Sequence, residues 1–362
     1  MSVPRTDVEL IVRAGQHAPS GDNCQPWRFE WDEDSLGIVF VSERADSLYD
    51  VEQTASWVAL GAVLTNMRVA ATRVGLGLSV ELFPRNAPQA LAARVRFHAV
   101  TRDDDPLLPA IEQRCVNRRP YRAEPLHAHL RQELLAVASG EAHVRLDLVE
   151  SEPLKSKLAA LAASQDRILF ENRLLHDGLY RWLRWSPQEI ADTQDGMPVE
   201  TLELAPCERT GFRLLRFWGW ASFLARLGAT QFLPLRAEHC YRHSAAIGLV
   251  STQEPRPDDW VRAGEIFERL WLTATLRGLS LQPITGITFL WLRMRLADGE
   301  GLSPTHQRLI ERLAQEIGAI LPAFLQQTPV VLFRLGKAQA PSQRAMRRPL
   351  DEVLTLRECW RA

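Results

Sequence analysis

The sequence predicts an α+β fold, and three observations lead there. Apolar and polar residues alternate at 27–31 and 94–100, the two-residue period of strands with one buried face, and 79–83 also has strand character. Longer stretches carry helical spacing instead. In 52–74, Val58, Ala59, Ala62, Val63, Val69, Ala70 and Val74 fall at the intervals of a helix with one buried face. Finally, the order helix, strand, long helix, strand restarts after an acidic, proline-containing junction at 101–109. That recurrence is weak evidence of duplication, because no residue-level repeat accompanies it.

Taken in order, 6–17 reads as a helix broken by Pro19 and Gly21. Strands at 27–31 and 38–41 flank Asp32-Glu33-Asp34-Ser35, which predicts a hairpin. Gly75 and Gly77 stop the helix over 52–74, and Pro84 and Pro88 separate the strands at 79–83 and 94–100. Past the junction, a short helix ends in 111–115, a longer one covers 124–138, and 143–149 alternates as a strand. Ser151 is placed to cap the next helix, with Pro153 in its first turn and Leu154, Leu158 and Leu161 at helical spacing. The aromatic-rich span 170–235 reads as helices around a loop at 192–206. A strand at 245–251, a helix over 258–276 with an acidic cap and Gly278 at its end, a helix over 304–321 and a buried strand at 329–335 precede a basic tail.

The chain's 362 residues suffice for one large domain or two ordinary ones with a substantial core. With 46% hydrophobic and 24% charged residues, disorder is not expected. Forty-three basic and 44 acidic side chains give no general attraction to nucleic acid or membranes, so neither is expected as a partner and any basic patch must be local. Cys24, Cys115, Cys207, Cys240 and Cys359 are odd in number and lack CxxC spacing. Reduced thiols and a cytoplasmic location follow as expectations, supported by Asp7 and Glu9 where an export signal needs an apolar run. The apolar run at 217–225 is too short to span a bilayer but could cover a pocket. His239 and His243 sit one helical turn apart, yet no HExxH or second ligand cluster supports a metal site, and none is expected.

The most informative stretch is Ala18-Pro19-Ser20-Gly21-Asp22-Asn23-Cys24-Gln25-Pro26-Trp27-Arg28-Phe29. An ordinary loop after a helix explains Pro19, Ser20 and Gly21. It explains less well the amides Asn23 and Gln25 and the aromatic Trp27, which together could offer polar groups to a planar, heteroatom-rich ligand. The pattern A-P-S-x-x-N-x-Q-P-W-x-F resembles the signature of the nitroreductase family of flavin mononucleotide (FMN) enzymes. Three other segments gain meaning from that resemblance. Arg114, Asn117, Arg118 and Arg119, read alone, make a basic turn; they match imperfectly the family's R-x-S-x-R motif near flavin N1 and the phosphate chain, with the choice between Arg118 and Arg119 open. Pro283, Thr285 and Gly286 read as a tight turn, similar to the family's P-x-x-G segment beside flavin N5, with Thr285 where Glu is frequent. Arg344, Arg347 and Arg348 read as an exposed basic stretch, similar to the family's C-terminal phosphate-holding segment.

The resemblance implies a nitroreductase-like fold, with a central, mostly antiparallel sheet flanked by helices. Length and layout are similar to the tandem, Acg-type branch, in which two subunits are fused into a pseudo-dimer. The first half would be 1–104, carrying the Pro19, Ser20, Asn23 and Gln25 loop. The second would be 105–362, carrying the other motifs and a lid-like aromatic insertion at about 170–235. One FMN at the internal interface would make the chain an oxidoreductase, moving two electrons through flavin N5 to a small electron-poor or quinone-like substrate, with NAD(P)H as a possible donor. The alternative is a non-catalytic protein that sequesters FMN. No catalytic residue is assigned, and the monomer could dimerise further.

Overall fold

The computed structural model describes residues 3–32, 34–85 and 90–356. Glu33 of the expected hairpin turn, Pro88 and Cys359 lie outside them. Helix α1 (Arg5–Gln16) buries Val8, Ile11 and Val12, and β1 (Trp27–Trp31) and β2 (Leu36–Phe40) pair antiparallel as expected. The turn between them is closed by Asp32, whose Oδ1 accepts from the Ser35 N–H at 2.7 Å. Helix α2 (Thr54–Thr72) is followed by β3 (Leu76–Leu82) and β4 (Leu91–Ala99). Gly75, at φ +71°, ends the helix turn. Gly77 does not: it lies inside β3, where a Cβ would fall 2.4 Å from the His98 ring on the paired strand.

The remaining elements are α3 (Leu108–Gln113), α4 (Ala128–Ala136), β5 (Val144–Val149), α5 (Glu152–Ser164), α6 (Asp166–Glu171) and α7 (Arg173–Arg181). Then come β6 (Leu183–Arg184), α8 (Pro187–Thr193), β7 (Met197–Pro198), α9 (Pro206–Leu215), α10 (Trp218–Arg226) and α11 (Pro234–Arg242). The last group is β8 (Ala246–Thr252), α12 (Pro257–Leu276), β9 (Ser280–Pro283), α13 (Gly286–Leu296), α14 (Pro304–Ile320), α15 (Ala323–Gln326), β10 (Thr328–Gly336), α16 (Leu350–Val353) and β11 (Leu354–Leu356).

Several local expectations are corrected. The helix expected over 124–138 is only Ala128–Ala136, because Pro125 lacks an N–H and keeps its predecessor out of the helical region. Ser151 precedes α5, but its backbone carbonyl rather than its hydroxyl takes the bond, from Lys155 N at 2.8 Å. No side chain caps α12; Asp259 is instead fully buried in the first turn, 3.1 Å from Arg256 and 3.4 Å from Arg262. The loop expected at 192–206 contains β7, which pairs parallel with β6, and a 3-10 turn at Val199–Leu202.

The strands form two principal sheets, in the orders β11-β1-β2-β4-β3 and β5-β8-β10-β9. The basic tail returns to the first sheet, where β11 lies parallel to β1 with Phe29 opposite Leu354. Between the sheets α2 packs along α12, and one apolar core joins Trp27, Phe29, Leu64 and Met67 to Trp260, Phe267, Trp271 and Phe333. Two glycines permit this approach. A Cβ at Gly61 would lie 2.0 Å from the Val261 carbonyl oxygen, and one at Gly264 would lie 2.1 Å from that of Val58. The contact is reciprocal: Val58 and Gly61 meet Val261 and Gly264, three residues apart on each helix.

Candidate functional site

Two adjoining cavities open where the loop after α1 meets the second half of the chain. The first, about 310 Å³, is lined by Pro19, Ser20, Arg118, Pro283, Thr285 and Gly286, with Tyr49, Tyr241, Trp182 and Trp271 as aromatic walls. The second, about 320 Å³, is lined by Pro19, Ser20, Asn23, Arg114, Arg118, Arg344 and Arg347, with His17 beside them. Pro19, Ser20, Asp22, Val116 and Arg118 border both. Each cavity alone is within the ordinary range of small-ligand sites.

The loop that separates them has an unusual backbone. Asp22, Asn23 and Gln25 take φ of +49°, +56° and +49°, a left-handed region that costs side-chain-bearing residues of the order of 1 kcal/mol or more each. Hydrogen bonds hold it there. Ser20 Oγ accepts from Gln25 N at 2.9 Å. Asn23 donates to the carbonyls of Gly196 (2.9 Å) and Met346 (3.0 Å) and accepts from Arg347 at 2.8 Å. Gln25, wholly buried, donates to Gln194 O at 3.1 Å and accepts from Arg348 N at 3.0 Å. These amides therefore tie the loop to the insertion and to the tail, and Gln25 lines neither cavity.

The arginines divide in the same way. Arg118 faces both cavities, with bonds to Thr201 O at 3.2 Å and Met197 Sδ at 3.3 Å that leave other donors of its fork unused. Arg119 turns outward to Glu203, Gln339 and Ser342. Asn117 is buried elsewhere, donating to Ser280 Oγ and Gln339 O, and the Arg348 side chain pairs with Glu352 at 3.0 Å. Arg114 packs 4.6 Å over the Trp271 ring, with Nε 3.0 Å from the fully buried Glu268 carboxylate. Arg347 donates to the Gln16, His17 and Ala18 carbonyls, and Arg344 to those of Glu112 and Arg114.

The crowding of cations has an electrostatic signature. Burial, then Arg347 and Arg114, push the His17 imidazole down to about 4. Burial, then Arg114, lower Arg347 to about 9, so it remains cationic at neutral pH. An anion bound between these groups would relieve their repulsion. In the first cavity the trend reverses for acids: burial raises Asp22 to about 6 against the pull of Arg118, and raises the Tyr49 and Tyr241 hydroxyls. Burial, Asp22 and Asp50 push the Cys24 thiol up to about 12, which removes it as a nucleophile.

Gly286 starts α13 against the Gln165 amide, from which a Cβ would be 2.6 Å away. The first-turn N–H groups of a helix have no partner within it, and at this end of α13 Thr285 and Gly286 line the aromatic cavity. Leu175, Gly178, Leu179 and Trp182 of the aromatic insertion cover the first cavity, and Met197 and Thr201 border the second. Sequence reasoning had not singled out Asp22, Tyr49, Tyr241, Trp271 or His17 as site residues. Asp22 lies within the motif and His17 just before it; the others come from distant segments with no local signal. The rings of His239 and His243 lie 4.3 Å apart, centre to centre, tilted by 45°, and the described residues contain no group of three or more metal-ligating side chains.

No family model matches the chain. It is 29% identical over 348 residues to the uncharacterized protein MT1398 of Mycobacterium tuberculosis (strain CDC 1551 / Oshkosh), covering 95% of this chain and 48% of that protein, so the chain spans about half the length of that relative. It is 27% identical over 361 residues to Acg of M. tuberculosis (strain ATCC 25618 / H37Rv), which carries the provisional name NAD(P)H nitroreductase, covering 97% of this chain and 96% of Acg. A solved nitroreductase with bound FMN from Desulfitobacterium hafniense DCB-2 is 13% identical, covers 71% of this chain and 100% of its own, and overlaps with a TM-score of 0.37. Along nearly all of its length, then, the chain is similar to Acg, and its own elements make an α+β fold.

Proposed function

We propose that the protein binds one FMN per chain and works as an oxidoreductase of the nitroreductase kind. The observation that carries this reading is the pairing of an aromatic-walled cavity with an adjoining arginine-lined one across a shared border. A flat heterocycle suits the first and a phosphomonoester the second. Arg114, Arg118, Arg344 and Arg347 would hold the phosphate end. Arg118, on the border, would also favour negative charge on the ring, and the Thr285–Gly286 end of α13 would offer backbone N–H groups to the ring edge. Bound FMN would supply two-electron transfer at ring atom N5 to a small electron-poor or quinone-like substrate, with NAD(P)H as donor. The chain's own work is to bind and orient the cofactor and to exclude water from it. Because the lining comes from both 17–59 and 112–347, the site would sit between two fused halves, 1–104 and 105–362, acting as a pseudo-dimer.

A second reading, storage of FMN without turnover, is favoured by one observation: the insertion lies over both cavities. Anaerobic titration of the purified yellow protein with NADPH or NADH separates the two. Bleaching of the flavin absorbance by either nucleotide, followed by reoxidation with a quinone, is expected of the enzyme. A flavin that only dithionite bleaches identifies the storage protein, and a colourless chain that takes up no added FMN overturns both.

A further inference from the structure

Among the described residues, exposed large apolar side chains cluster in the span from α9 to the turn after α10. Leu214, Phe217, Trp220, Phe223, Leu227 and Phe232 are each 49 to 66% exposed. On α10 and its flanks, Phe217, Trp220, Phe223 and Leu227 fall on one face, whereas Ala221 on the other side is wholly buried. Apolar exposure on this scale marks an interaction surface. Arg213, Arg216 and Arg226 are exposed among these residues. Among the described residues none of the three forms an ion pair with a carboxylate; Arg216 lies over the Trp185 and Phe217 rings.

We propose that α9, α10 and the following turn dock on the surface of an anionic lipid bilayer. Large aromatic and aliphatic side chains ringed by arginines match the two components of such a surface, acyl chains below and negative headgroups above. A second copy of this chain fits less well, because a two-fold contact would bring the unpaired arginines of both copies together. The balanced total charge gives no hint of this patch, which is local. No helix among the described residues is long and apolar enough to cross a membrane, so the contact is with the bilayer surface. Docking would set the roof of the aromatic cavity at the lipid: Trp218 of α10 packs 5.3 Å from His176 of α7, the helix that supplies Leu175, Gly178 and Leu179 to that cavity.

The full-length protein is floated with phosphatidylcholine vesicles and with vesicles containing phosphatidylserine as well. Binding to the phosphatidylserine vesicles that weakens with added salt is expected. Trp220→Ser with Phe223→Ser should reduce it at least about tenfold, and Arg213→Glu with Arg226→Glu should reduce it by a similar factor and abolish the preference for phosphatidylserine. Melting by circular dichroism confirms that the variants fold. The proposal is overturned by absence of flotation, by equal binding to both vesicles that the arginine changes leave intact, or by a stable dimer in sedimentation that Trp220→Ser dissociates. None of these readouts needs bound flavin, so failure here leaves the flavin reading standing.

Discussion

Arg118 and Arg119 are neighbours in sequence with opposite surroundings, and nothing in the string Asn117-Arg118-Arg119-Pro120 says which one faces inward. A single parallel bridge to β9 decides it: Val116 pairs with Leu281, Asn117 N bonds to Leu281 O, and beyond it Arg118 faces the cavities while Arg119 meets Glu203. Arg118→Ala should therefore weaken FMN binding about 10- to 100-fold, the loss expected for charge-assisted hydrogen bonds, while Arg119→Ala changes it less than about threefold. Fluorescence titration with FMN checks both. A further residue-scale expectation concerns Asp166, which burial raises to about 7 against a hydrogen bond from Gln165. A carboxyl whose folded value lies above its unfolded one contributes stability that is present at low pH and lost as pH rises through the folded value. Asp166→Asn should thus stabilise the protein by about 1–3 kcal/mol at pH 8, and the gain should vanish as pH falls from about 7 toward 4. Urea midpoints across that range provide the test.

The loop after α1 was conspicuous as a sequence, but its amides do something that local pattern could not reveal. Asn23 and Gln25 read as groups offered to a ligand; in the structure their side chains also fasten the loop to Gln194, Gly196, Met346 and Arg348, and Asn23 still lines the second cavity. Those partners lie 169 to 323 residues away, and spacing along one element carries no information about contacts so remote. The strands and long helices were readable because period and turn residues are local properties. The C-terminal β11, three residues long, was not: it exists because β1 presents an edge to it. Asn23 permits a test of the loop as an element. Asn23→Ala loses three hydrogen bonds and puts a Cβ with no compensating bond at φ +56°, and should destabilise the protein by about 3 kcal/mol. Asn23→Gly loses the same bonds without the backbone strain and should cost about 1 kcal/mol less. Equal urea midpoints for the two variants would show that the left-handed backbone stores no strain.

At the scale of the whole molecule the question is whether the two sheets are halves of one repeated design. The sequence carries no residue-level repeat, yet the helices between the sheets cross with a reciprocal contact, Val58 and Gly61 against Val261 and Gly264. A two-fold interface has this form, residue i meeting j while j meets i, and here both sides belong to one chain. Each glycine faces backbone rather than a flexible side chain, so a methyl group at either position must drive α2 and α12 apart and open the core around Trp260 and Met67. Gly61→Ala and Gly264→Ala should each destabilise the protein by about 3 kcal/mol or more, whereas Gly211→Ala on α9, where a Cβ meets nothing within 4 Å, should be neutral or gain up to about 1 kcal/mol. If the two glycines serve one helix crossing, the double variant will cost clearly less than the sum of the singles, because the first methyl already separates the helices that the second would push. Strict additivity in urea unfolding would mean that the two contacts are independent and would remove the crossing as an argument for a fused pair.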